Sequence, residues 1–202
     1  MYYSWFSLFS AVTLCMFIVS GGCTSITPIS PQSPASLMTT GSPHPTPAPS
    51  SALTIRVASL SMGSVLPDIY TCKGSGISPE VSWDGIPPGT KSLVLILDDP
   101  DAPNGSFTHW IVFNIPPETG ELAQSQPNAK VLAIGAQQGD TSTGSRGYYP
   151  PCPPIGETHH YVFRLYAVDM DITQPTADRS SIEWALNGHT LANTEIVTIF
   201  KR

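Results

Sequence analysis

The first fifty-five residues contain no Asp, Glu, Lys or Arg, and all nine basic and fifteen acidic residues fall between Arg56 and Arg202. A folded surface needs charge to stay dissolved, so this gap excludes a globular domain at the N-terminus. It leaves one domain of roughly 150 residues behind it. That is enough chain to bury about two-thirds of its unfolded surface. Basic residues are scarce throughout, and the net charge is −6. The acidic balance argues against nucleic-acid binding, which needs Lys/Arg stripes, and against a polybasic grip on anionic membranes. There is also no Gly-x-Ser-x-Gly elbow for a nucleophilic serine. The nearest stretch, Asp140-Thr141-Ser142-Thr143-Gly144, lacks the first glycine.

The apolar run Trp5–Ser20 is shorter than the ~20 residues of a membrane-spanning helix, which favours a cleaved export signal. Ser20-Gly21-Gly22-Cys23 follows it and looks like a lipoprotein processing box, with Cys23 as the lipidated residue. Two features depart from that pattern: no Lys or Arg precedes the core, and Ser20 stands where Leu or Val is usual. An uncleaved anchor helix or a plain secretory signal is the alternative. Thr24–Ser51 is rich in Pro, Ser and Thr and lacks any hydrophobic period. It reads as a disordered, extended spacer. The expected organisation is therefore a signal segment over 1–23, a linker over 24–51 and a domain over 52–202. The expected location is the outer face of the cell membrane, reached through the N-terminal anchor.

Of four cysteines, Cys15 lies in the signal core and Cys23 at the processing box, leaving Cys72 and Cys152 in the domain. In an oxidising compartment the expected state is a Cys72–Cys152 disulfide; two separate buried thiols are the alternative.

Strand patterns dominate the domain. Leu53–Ser59 alternates, Ser92–Asp98 is a continuous apolar run short enough for a strand buried on both faces, and His109–Ile115, Tyr161–Val168 and Glu195–Phe200 are rich in β-branched or aromatic residues. Ser180-Ser181-Ile182-Glu183 reads as a capping box opening a helix that stops near Gly188. Thr119–Gly147 reads as a long loop with a short strand near Lys130–Ile134, and loops of that length are often functional. The class is mostly β, an antiparallel β core with C-terminal helices.

Three constellations carry chemistry. Asp98-Asp99-Pro100-Asp101-Ala102-Pro103 fixes carboxylates at a strand end; alone it also fits a self-capped turn. His109 opens the next strand, placed to return beside Asp99 and Asp101 if the two strands are antiparallel neighbours. Pro150-Pro151-Cys152-Pro153-Pro154 freezes a loop in which Cys152 keeps an N–H, and rigid backbone donors make anion-binding concavities. His159 and Tyr161 follow it with an imidazole and a hydroxyl. A nucleophilic triad, a carboxylate pair for glycoside hydrolysis and a His/Asp metal site are all conceivable from these residues. None has its further signature, so no catalytic residue, metal ligand or cofactor is expected.

Taken in order, these pieces resemble the phosphatidylethanolamine-binding protein family, also called Raf kinase inhibitor-like, in its prokaryotic branch. The resemblance rests on Cys72-x-Gly74 with Ile77-Ser78-Pro79 and Ser82-Trp83, and on Asp99-Pro100-Asp101-Ala102-Pro103. It continues through His109-Trp110, Cys152-Pro153-Pro154 with His159-x-Tyr161-x-Phe163, and Gly188-His189-x-Leu191-Ala192. It implies an antiparallel β core with a second, smaller sheet and C-terminal helices, and a small pocket for phosphate-like anions. The pocket would fall on Asp99, Asp101, Pro103, His109, Cys152, Pro153, His159 and Tyr161, with Asp99 orienting His109. Tyr149-Pro150-Pro151 stands where the family has glycines, which stiffens the loop, and His160 stands where it has Arg. The implied partner is a small anionic or phosphate-bearing ligand bound without catalysis. A protein-inhibitor module using the same pocket and the long loop, and a hydrolase, are the alternatives.

Overall fold

The computed structural model describes residues 52–174 and 176–202, so the signal segment, the linker and Cys23 lie outside the described residues. Eight strands run along the chain: β1 (Thr54–Val57), β2 (Val81–Asp84), β3 (Ser92–Asp99), β4 (Phe107–Ile115), β5 (Glu121–Leu122), β6 (Gln137–Gln138), β7 (Thr158–Val168) and β8 (Thr190–Lys201). They form a three-stranded sheet in the order β1-β2-β5 and a five-stranded sheet in the order β6-β4-β3-β7-β8, with all pairings antiparallel. One α-helix, α1 (Arg179–Leu186), lies between β7 and β8 in the chain.

β3 is buried along its whole length, as its unbroken apolar run predicts. Its alternation divides the interior. Leu93, Leu95 and Leu97 face the small sheet and join Trp83, Trp110 and Phe163 in the main core. Val94 and Ile96 face the other way and pack with Ile111, Ile182 and Leu186 under α1. Carried on, the same alternation sends Asp98 to the helix side and Asp99 to the side of the main core. Asp98 is held there by Arg164 at 3.0 Å, Arg179 at 2.5 Å and the Thr108 hydroxyl at 3.0 Å. Burial still lifts its carboxyl above the usual range, against the opposing pull of Arg179, Thr108 and Arg164.

Three local expectations are corrected. Asp178, not Ser180, caps α1: its carboxylate accepts the Ser181 N–H at 3.0 Å. Glu183 is drawn instead to Arg179 at 2.9 Å, so the box never closes. A single α-helix stands among the described residues where C-terminal helices in the plural were expected; two short 3-10 turns lie elsewhere, at Asp68–Tyr70 and Pro117–Thr119. No strand forms over 130–134. Val131 makes only an isolated bridge to Gln137, because the chain turns back between Leu132 and Ala136.

The long loop is ordered by one buried side chain. Gln138 accepts from Trp110 Nε1 at 2.7 Å and donates to the Pro127 and Ala129 carbonyls, each at 2.7 Å. At the loop's end, Gly147 has φ of 93°, and a Cβ there would stand 2.3 Å from Asn128 Oδ1. Only glycine allows that left-handed close approach.

Cys72 and Cys152 are disulfide-bonded, with Cα atoms 5.4 Å apart. The bond joins the turn after Tyr70 to the proline-rich loop before β7, and the Cys72 N–H donates to the Pro151 carbonyl at 3.1 Å beside it.

Candidate functional site

A cavity of about 400 Å³ opens where β3, β4 and β7 end beside the disulfide-linked loop. The buried Asp99, His109 and His159 line it together with Phe107, Tyr149 and the prolines Pro103 and Pro153. Backbone geometry explains how distant residues meet. Asp99 and His159 lie near the paired ends of β3 and β7, both on the core-facing parity. Tyr161 follows two positions on, with the same parity.

His109 is placed by an irregularity. Leu97 pairs with Trp110 and Asp98 with Thr108, so His109 is the extra residue of a β-bulge. Regular alternation would aim it at α1; the bulge turns it to the cavity side with Trp110. It is then held twice by one residue. The Tyr149 N–H donates to the His109 carbonyl at 2.8 Å, and His109 Nδ1 meets the Tyr149 carbonyl at 2.9 Å.

The carboxylates do not pair as expected. Asp99 orients His159 rather than His109: its Oδ2 lies 2.7 Å from His159 Nδ1, while its Oδ1 accepts the Asp101 N–H at 2.9 Å. Asp101 turns away to the surface, where it accepts both the N–H and the Nδ1 of His160 at 2.7 Å. It does not line the cavity.

Tyr161 also stays out of the lining. It is fully buried beneath the cavity, with its ring 5.4 Å from that of His109 and its hydroxyl beside the Asp99 carboxylate. Burial and then the nearby Asp99 carboxylate hold it protonated. Cys152 does line the cavity, and its N–H donates to no acceptor among the described residues.

The two histidines titrate in opposite directions. Burial pushes His109 down to about 4, more than the Tyr149 carbonyl and Asp99 can restore. Burial pulls His159 down as well. Its bonds to Asp99 and to Glu157, the latter at 3.2 Å, outweigh that pull and leave it above the ordinary histidine value.

Five lining residues went unrecognised as such in the sequence: Ala102, Phe107, Tyr149, Pro154 and Arg202. Arg202 continues the inward parity of Ile196, Thr198 and Phe200 by one step past β8 and lines the cavity. The Gly156 N–H fixes its carbonyl at 3.0 Å, and its guanidinium makes no ion pair among the described residues. The available signal was the period-2 pattern of the closing strand, which extends past Phe200. The long loop Thr119–Gly147 contributes nothing to the lining. No group of three His, Cys, Asp or Glu side chains among the described residues is arranged to hold a metal ion.

A two-sheet antiparallel domain with a preformed, partly polar cavity at its strand ends defines a binding domain. The chain belongs to the phosphatidylethanolamine-binding protein family, whose profile matches residues 57–201. A UPF0098 protein of Methanothermobacter thermautotrophicus is 45% identical over 139 residues, covering 68% of this chain and 91% of that protein. A crystal structure of a candidate phosphatidylethanolamine-binding protein homologue from Chlamydia trachomatis is similar with a TM-score of 0.68 at 35% identity, covering 75% of this chain and 98% of that one. A Mycobacterium tuberculosis protein named as a candidate lipoprotein is 39% identical over 132 residues, covering 64% of this chain and 63% of that protein.

Proposed function

We propose that this domain binds a small phosphate-bearing or other anionic ligand in the Asp99–His159 cavity, without catalysis. The observation that carries the reading is a set of donors without protein acceptors at one cavity. Cys152, whose N–H donates to no acceptor among the described residues, lines it together with Arg202 and His159. An anion in the cavity supplies the acceptor that these donors lack in the protein. The rigid prolines around Cys152 spare the ligand the entropy of ordering the loop. His159 adds a positive charge while protonated, and its bond to Asp99 keeps it protonated to higher pH than usual.

The domain would work at the outer face of the cell membrane, tethered through lipid on Cys23 with 24–51 as spacer. The likeness to the mycobacterial candidate lipoprotein supports that tether.

Calorimetric titration with inorganic phosphate and phosphoethanolamine tests the ligand class. Wild-type protein should bind with a dissociation constant of roughly micromolar to millimolar. Arg202→Ala should weaken binding about tenfold, the loss of one charge-assisted hydrogen bond. Binding should also weaken as pH rises and His159 loses its proton. Absence of binding to both ligands at pH 5.5 and pH 8 would rule the reading out.

A further inference from the structure

The tautomer of His109 has a consequence for ligand choice, and it rests on the anion-pocket reading above. The Tyr149 carbonyl can only accept, so the His109 nitrogen 2.9 Å from it must carry the hydrogen. In neutral imidazole the other nitrogen, Nε2, is then a bare lone pair. His109 lines the cavity, and Nε2 receives no hydrogen bond among the described residues. Both oxygens of the neighbouring Asp99 already accept, one from Asp101 and one from His159. The cavity therefore offers an acceptor beside its donors. An oxyanion that presents only oxygen lone pairs would set one of them against Nε2. An oxyanion that keeps one proton would donate it there.

We propose that His109 makes this site selective for oxyanions that carry a proton, namely inorganic phosphate and phosphomonoesters, over sulfate and over simple phosphodiesters. A phosphomonoester has its second pKa at about 6, so near neutral pH it is available in the protonated form. Sulfate and dimethyl phosphate carry no proton at pH 5.5 or above. Charge alone would favour sulfate, a dianion, over the monoanionic form of phosphate. A preference for phosphate in mildly acidic buffer therefore reports the hydrogen bond and not the Coulomb term. The principle is the one by which a site with a committed polar group rejects an analogue that cannot pair with it.

The experiment is a calorimetric series at pH 5.5 with inorganic phosphate, methyl phosphate, dimethyl phosphate and sulfate on wild-type protein and on His109→Gln. Wild type should bind phosphate at least about tenfold more tightly than sulfate and dimethyl phosphate. Methyl phosphate binding like phosphate supports the rule and places an ester within the site's range. Phosphate binding without methyl phosphate binding overturns the rule for phosphomonoesters. In His109→Gln, whose amide can donate as well as accept, the preference should shrink to within about threefold. Equal affinities across the wild-type series, or an undiminished preference in His109→Gln, overturn the proton rule and leave an anion site standing. Failure of all four ions to bind overturns the anion-pocket reading itself. The wild-type series decides the matter even where the variant does not fold.

Discussion

His159 Nδ1 lies 2.7 Å from Asp99 Oδ2, with both side chains buried, and this contact joins the ends of two neighbouring strands in the lining of the cavity. Neither group would be stable there alone. An isolated buried carboxylate or imidazolium is expensive, and each cancels most of the other's cost.

Asp99→Asn removes that compensation. Because the folded pKa of His159 is raised, its stabilisation is fully present below its unfolded value of about 6.5 and is lost as pH rises through the folded value. Urea denaturation of Asp99→Asn should therefore show a deficit of about 1–3 kcal/mol at pH 6 that shrinks at pH 9. A deficit that does not change with pH would mean that His159 is neutral in the fold.

His109 works in the opposite sense. Its folded pKa of about 4 lies below the unfolded value, so the unfolded chain takes the proton first as pH falls. Wild-type stability should drop between about pH 6.5 and pH 4, by on the order of 3 kcal/mol from this group. His109→Phe should lack that part of the acid slope in denaturation curves taken at pH 4.5 and pH 7.

The Cys72–Cys152 bond closes a loop with a sequence separation of 80. In the chain-entropy account such a loop is worth on the order of 4 kcal/mol. Both cysteines are exposed, so a phosphine reductant should reach them without prior unfolding. Reduction should lower the urea midpoint accordingly, and it should weaken phosphate binding because Cys152 supplies a cavity amide. Unchanged affinity after complete reduction would show that the prolines hold the loop unaided.

Gln138→Leu tests what orders the long loop. The substitution strips the Trp110 indole and two carbonyls of their partner at once. A cost of about 3 kcal/mol is expected. Hydrogen exchange should speed up over 127–138 while β7 and β8 keep their protection.

Much of this was legible because it is carried by period and composition. The continuous apolar run of β3, the aromatic-rich β4 and β7, and the placement of Asp99, Cys152 and His159 all follow from alternation and from proline-fixed loops. The Cys72–Cys152 pairing followed from the small number of domain cysteines. What stayed hidden depends on tertiary pairing. The bulge at His109 arises from how β3 and β4 align, and neither strand marks it alone. The choice of His159 over His109 as partner for Asp99 is decided by β7 lying beside β3. Asp101 had an equal claim to the cavity until His160 drew it outward. Asp178 displaced Ser180 as helix cap because a carboxylate two residues upstream reaches the same N–H groups.

The position of the disulfide also decides what a protease can do to this molecule. Ala123, Gln124 and Ser125, and again Ser142 to Ser145, are exposed segments of the kind that proteases nick. Both lie inside the ring closed by Cys72 and Cys152. A single cut in either leaves two polypeptides still joined as one covalent molecule. The cut also falls between the strand pair β3–β4 and the pair β7–β8, whose mutual pairing does not pass through it. A domain clipped there keeps both halves of its cavity together.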